Sequence, residues 1–230
     1  VKELAMVDRT VIVNRDIQAE RKAAAERLRQ HFSNQGTFVV NLVSSPGAGK
    51  TSLLEATCRY WRDRFDVAVL VGDLATDRDA ERLRPYVPVE QLTTGGACHL
   101  ELSLVEKGLA RLPQQRFDFL FIENIGNLVC PASHDLAEHV RVVLLSTTEG
   151  DDKPGKYPKM FRTSEMMLVT KTDLLPYVPF SIERASEDAQ RIREDLQVIT
   201  VSAIRDEGIN TWCGYLEQRR KAMLVEAACP

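Results

Sequence analysis

Short, almost wholly apolar runs alternate along this chain with longer stretches in which apolar residues recur every three or four positions. The runs at residues 39–43, 67–71, 87–92, 117–122, 140–145, 166–170 and 198–202 have the length and residue types of strands. Helical spacing marks the segment opening at Lys50 and those at residues 77–86, 100–112, 181–196 and 208–221. Strands that are apolar at nearly every position have no polar face to give to water, so helices must cover them on both sides. The expected fold class is α/β, with a mostly parallel central sheet and helices on both faces. Before the first strand, Asn14 reads as an N-cap, and Ile17, Ala24, Leu28 and Phe32 form a thin apolar stripe. That helix ends at Ser33, Asn34, Gln35 and Gly36. The chain thus divides into an N-terminal helical arm, residues 1–36, and one domain, residues 37–230, with no linker or repeat to split it.

Composition excludes more than it selects. With 230 residues, 44% hydrophobic and 27% charged, the chain can bury a substantial core. A net charge of −3 argues against nucleic acid as the main partner. No apolar run approaches the roughly 18 residues of a membrane span, and VKELAMVDRT lacks a signal-peptide core. Five widely spaced cysteines do not make a disulfide framework. A reduced, cytoplasmic protein with no nucleic-acid or membrane partner is expected.

The richest stretch is VVNLVSSPGAGKTS, residues 39–52. An apolar strand breaks into Pro46, Gly47, Ala48 and Gly49, and Lys50, Thr51 and Ser52 open a helix. A turn that exposes successive backbone N–H groups, closed by a helix N-terminus, is an anion nest. Lys50 can then reach β- and γ-phosphates, and the Thr51 hydroxyl can ligate Mg²⁺. The pattern expects glycine at position 44, where this chain has Ser44.

In open α/β sheets ligands sit at the carboxyl ends of strands, and those positions agree on a nucleotide. Asp73 follows the second strand and suits Mg²⁺, directly or through water; Glu123 and Gly126 follow the fourth, where a carboxylate and a backbone N–H meet Mg²⁺ and γ-phosphate. Thr170–Lys171–Thr172–Asp173 is a variant of the Asn-Lys-x-Asp guanine motif. The Asp173 carboxylate can accept the N1–H and N2–H₂ donors that guanine has and adenine lacks, while the Lys171 stem lies along the base. Ser202 and Ala203 stand where such proteins offer a backbone N–H to guanine O6. The reading is GTP/GDP rather than ATP. Thr170 replaces an amide that braces this loop, so modest guanine affinity is expected. No Gln or His stands where a fast GTPase needs one, so slow intrinsic hydrolysis is expected too.

Cys98 and His99 lie between a strand and a helix, and Cys130 follows the Glu123–Gly126 segment. Thiolate and imidazole suit Ni²⁺ or Zn²⁺. Spacing alone fits an ordinary half-buried cysteine and histidine as well, and three ligands leave coordination incomplete unless a dimer completes it. Cys58 reads as core, Cys213 and Cys229 as incidental, and His134 and His139 as surface residues with at most transient metal contact.

Taken together, NLVSSPGAGKTSLLE, GDLATDRDAERL, TTGGACHLE, FIENIGNLVCPAS, TEGDDKPGKYPKMF and TKTDLLPYV resemble the HypB family, GTPases that insert nickel during nickel–iron hydrogenase maturation. The resemblance runs from about Thr37 to the C-terminal helix. It implies a SIMIBI-class G domain, nucleotide-dependent homodimerisation and a Ni²⁺/Zn²⁺ site at the dimer interface, with Cys98, His99 and Cys130 as ligands. It also implies Lys50 and Thr51 in the phosphate loop, Asp73 and Glu123 at Mg²⁺, Lys171 and Asp173 at the base, and a looser role for Lys153. Ser44 is usual in the family. Implied partners are a HypA-like zinc metallochaperone and the hydrogenase large subunit. The N-terminal cysteine motif or histidine-rich tract of some relatives is not seen, so nickel storage is not expected. The alternatives are a urease-type nickel GTPase like UreG, whose metal motif reads Cys-Pro-His; a metal-buffering module with a vestigial phosphate loop; and a small-molecule kinase.

Overall fold

The computed structural model describes residues 2–73, 77–113 and 116–228, with side chains from Gln18 onward. Helix α1 (Lys2–Gln35) leads into β1 (Phe38–Ser44), α2 (Lys50–Tyr60), β2 (Val67–Asp73), α3 (Arg78–Leu83), β3 (Val89–Thr93) and α4 (Leu102–Leu109). Then follow β4 (Phe119–Gly126), β5 (Val140–Ser146), two short helices, α5 (Lys153–Lys156) and α6 (Pro158–Arg162), and β6 (Met166–Thr170). Helix α7 (Ile182–Ile192), β7 (Gln197–Val201) and α8 (Ile209–Ala228) complete the chain.

The seven strands form one sheet in the order β3-β2-β4-β1-β5-β6-β7, and all the pairings are parallel. Strand alternation explains how both faces are covered. Val40 and Leu42 of β1 pack with Leu53, Leu54 and Trp61 of the α2 region and with Trp212 and Leu216 of α8. Their neighbours turn the other way: Val39 joins Phe32 of α1 and Val105 of α4, and Val43 joins Phe161 of α6 and Ala189 of α7. A strand with two buried faces has few polar positions, which is why these runs look nearly all apolar; two buried exceptions, Asn41 of β1 and Arg141 of β5, both bond the Glu138 carboxylate. Trp61 stacks on Phe119 at a ring separation of 4.3 Å, and the Trp212 indole N–H donates to Thr57 Oγ1 over 3.0 Å. No helix among the described residues is long and apolar enough to cross a membrane.

Helix α1 begins well before Asn14, so that residue is interior to the helix and not its cap. Gly36, with φ 75°, ends it as expected. On the buried face Phe32 and Ala25 are the deepest side chains; Ile17 lies outside the described side chains. The arm is clamped to the sheet by polar contacts as well. Arg29 donates to Glu138 O at 2.9 Å and pairs with Asp135, while Arg220 of α8 holds Gly36 O.

Candidate nucleotide and metal site

Strand β1 occupies the middle of the sheet, flanked by β4 and β5. The chain leaves it toward β2 on one side and later fills the other side, so its carboxyl end is the topological switch point. Gly47 and Gly49 in the loop after it have φ of 72° and 95°, conformations that a side chain would strain. Gly49 precedes α2, whose first N–H groups therefore open into the loop. Lys50 Nζ donates to Ser44 Oγ over 3.0 Å, so Ser44 supplies an acceptor for the lysine. Burial pushes the Lys50 ammonium below its ordinary pKa, against the attraction of Glu123, Asp79, Glu149 and Asp73. Lys153 Nζ donates to Ser45 Oγ at 2.6 Å, and Lys171 Nζ to Gly47 O at 2.7 Å. Three ammonium groups thus surround one loop, a strong field for a polyphosphate.

Thr51 Oγ1 donates to Glu123 Oε1 at 2.8 Å. Glu123 is buried, and among the described residues its Oε2 has no hydrogen-bond partner. Burial pushes its carboxyl up to about 7, with Lys50 and the Thr51 hydroxyl opposing. An orphaned buried carboxylate oxygen beside a hydroxyl fits a hard divalent cation such as Mg²⁺. Asp73 ends β2 opposite Thr93 of β3; the motif residues 74–76 after it lie outside the described residues. Gly126 closes the approach from β4: a Cβ there would stand 2.8 Å from the backbone of Pro46. Only glycine lets this strand end touch the phosphate loop.

At the other edge of the loop, Asp173 Oδ1 accepts from Ser202 Oγ at 2.6 Å. Ala203 follows in a turn closed by the Ser202–Glu207 bridge. Lys171 has φ 59°, and its carbonyl accepts from Thr147 Oγ1 at 2.7 Å. Thr170 Oγ1 donates to Ala48 O at 2.6 Å, so the threonine itself braces the phosphate loop.

Cys98 and His99 lie in the loop between β3 and α4, and Cys130 opens a 3-10 turn, Cys130–Ser133, shortly after β4. The fold brings them together: their ligand atoms lie within 4.8 Å of one another. Cys98 Sγ is 2.7 Å from Cys130 Sγ and 3.9 Å from His99 Nδ1. Asn127 joins the two loops, donating to Cys98 O at 3.3 Å and accepting from the Val129 N–H at 2.7 Å. Burial, then the neighbouring His134, holds His99 below its ordinary pKa, which favours the neutral imidazole a metal needs. Two thiols and an imidazole fit Ni²⁺ or Zn²⁺ by the chemistry of the donor set.

Both histidines expected on the surface are partly buried, and each is held by neighbours. His134 stacks on His99, rings 3.8 Å apart, and its Nδ1 hydrogen-bonds Cys130 O at 2.9 Å. The signal was present in Cys130-x-x-x-His134, one helical turn. His139 is half-buried between α1 and β1, accepting from the Val39 N–H at 2.9 Å. Cys58 lies in the core; Cys213, expected to be incidental, is also fully buried there because α8 packs that face onto the sheet. Cys229 lies outside the described residues.

The family described as CobW/HypB/UreG, nucleotide-binding domain, matches residues 38–200. The hydrogenase maturation factor HypB of Azotobacter vinelandii is 46% identical over 217 residues, covering 94% of this chain and 72% of that protein. The hydrogenase/urease maturation factor HypB of Helicobacter hepaticus is 44% identical over 209 residues, 89% of this chain and 86% of that protein. Among solved structures, HypB from Helicobacter pylori in complex with nickel superposes with a TM-score of 0.83 at 36% identity, covering 88% of this chain and 96% of that one.

Proposed function

Since this chain belongs to the CobW/HypB/UreG nucleotide-binding family, and within it to the HypB maturation factors, we propose that it is a GTP-hydrolysing nickel metallochaperone for nickel–iron hydrogenase. GTP binds in the Pro46–Gly47–Ala48–Gly49 nest, with Lys50, Lys153 and Lys171 supplying positive charge and Ser52 extending the helix N-terminus. Asp173, held by Ser202, reads the guanine edge. Thr51, Asp73 and Glu123 would hold Mg²⁺, which supplies charge neutralisation at the β- and γ-phosphates when bound. Intrinsic hydrolysis is slow, because the chain positions the phosphates more thoroughly than the attacking water.

Cys98, His99 and Cys130 take Ni²⁺ or Zn²⁺ as cargo. One observation carries the coupling: the β4 strand end that begins at Glu123 and touches Pro46 through Gly126 runs directly into Asn127 and Cys130. A γ-phosphate that moves this strand end moves a metal thiol a few residues away, and in the GTP state the protein closes as a homodimer. By linkage, metal must change nucleotide affinity by the factor with which nucleotide changes metal affinity. The test is Ni²⁺ titration of wild type and Cys98→Ser with GDP and with a GTP analogue, following mass by light scattering. Different Ni²⁺ affinities in the two states are expected; identical ones overturn the mechanism. A buffering module with an idle phosphate loop would survive Lys50→Ala with maturation intact. The name of the H. hepaticus relative favours a second destination, urease, which parallel hydrogenase and urease assays in a deletion strain separate.

A further inference from the structure

Resting on the reading of Cys98, His99 and Cys130 as a cargo site, we infer that His134 is a fourth metal donor that closes the site within one protomer. The hydrogen bond to Cys130 O, 2.9 Å long, fixes its chemistry. A carbonyl can only accept, so Nδ1 carries the proton and Nε2 presents its lone pair. Among the described residues, Nε2 makes no hydrogen bond. A ring N–H tied to a backbone carbonyl with the other nitrogen open is how metal-ligating histidines are held.

The placement agrees. His134 immediately follows the 3-10 turn that begins with Cys130, so one rigid turn sets the distance between the thiol and the imidazole. Its ring lies 3.8 Å from that of His99 with 23° between the planes. In a tetrahedral site with bonds of about 2.0–2.3 Å, neighbouring donor atoms stand roughly 3.3–3.8 Å apart. Stacked rings do not aim their lone pairs at one ion, and His134 stands beside the Cys98, His99 and Cys130 cluster rather than within it; the two imidazoles must turn apart as an ion enters. The ring is also reachable. It lines an open groove of about 880 Å³ together with Glu101, Ser133, Asp135 and Lys159, so an ion enters without crossing the core. Two thiolates and two imidazoles form a complete tetrahedral set, and a monomer then needs no partner residue to saturate the ion. A donor held by one rotatable side chain is also the one most easily released when cargo leaves.

The experiment titrates the 230-residue chain, as its GDP-bound monomer fraction, with Co²⁺ and then competes with Zn²⁺, reading the visible d–d and thiolate charge-transfer bands. Wild type, His134→Phe, His134→Gln and Cys98→Ser are compared; phenylalanine retains a ring to stack on His99. Wild type is expected to take one Co²⁺ with the intense d–d bands of a four-coordinate tetrahedral ion. Both His134 variants are expected to lose about tenfold or more in affinity and to weaken those bands as water replaces nitrogen, while keeping charge transfer from both thiolates. Wild-type affinity and spectrum in either His134 variant, with its urea midpoint unchanged, would overturn the assignment and leave His134 as a stacking residue. If Cys98→Ser also matches wild type, the underlying cargo-site reading fails instead.

Discussion

His139 makes the chain acid-sensitive, because its burial and its hydrogen bonds both favour the neutral ring. Its Nδ1 accepts from the Val39 N–H at 2.9 Å, its Nε2 meets Ser33 Oγ at 2.9 Å, and its ring stacks on Phe38 at 5.1 Å. A protonated Nδ1 cannot accept, so the charged form must break the bond that ties β1 to this joint. Burial, with Arg29 and Arg219 adding, holds the imidazole down from 6.5 to about 4. The native state therefore binds the proton less readily than the unfolded chain. The contribution is fully present above pH 6.5 and is lost as pH falls through 4. With these two values, the loss is about 2 kcal/mol at pH 5 and about 3 kcal/mol at pH 4. His139→Asn keeps an acceptor for the Val39 N–H and removes the titration, at a cost of about 1 kcal/mol from lost stacking. Urea denaturation of both proteins at pH 7.5 and pH 5 tests this, because carboxylates elsewhere cancel in the difference. Wild type should be the more stable by about 1 kcal/mol at pH 7.5, and a loss of about 2 kcal/mol by pH 5 should reverse the order, leaving the variant ahead by about 1 kcal/mol. A difference that stays constant across that range would refute the assignment of the neutral, bonded imidazole.

Three other outcomes follow from the nucleotide end of the sheet. Asp173→Asn replaces an acceptor with a donor opposite N1–H and N2–H₂, and should lower GDP affinity by roughly 100-fold or more in calorimetric titration; unchanged affinity would remove Asp173 from base recognition. Thr170→Val leaves Ala48 O without its 2.6 Å donor and should cost about 1–2 kcal/mol in urea denaturation, with weaker GDP binding as the loop loosens. Gly126→Ala puts a methyl 2.8 Å from the Pro46 backbone, so the loop or β4 must shift. A destabilisation of about 1–3 kcal/mol with disproportionate loss of nucleotide affinity is expected, and wild-type binding would show that the contact is slack.

Much of this protein was legible residue by residue. The apolar runs marked all seven strands of the sheet, most plainly the five inner ones, which are buried on both faces, and less so the partly exposed edge strands β3 and β7. The phosphate loop and the Thr170–Asp173 segment were legible because each is local: glycine φ values, a helix N-terminus and a Lys-x-Asp spacing all operate within a few residues. Tertiary structure alone decided the strand order, since every apolar strand carries the same face on both sides and nothing local selects its neighbour. That order places the end of β4 against the phosphate loop and brings the loop after β3 to the turn holding Cys130, so Cys98, His99 and Cys130 meet only in the fold. It also tucked the half-buried His139 against α1, stacked His134 on His99, and set Lys153 and Lys171 over a loop far from them in sequence. Periodicity records which face of its own element a side chain occupies; which element lies across from that face is settled by the packing of the whole sheet.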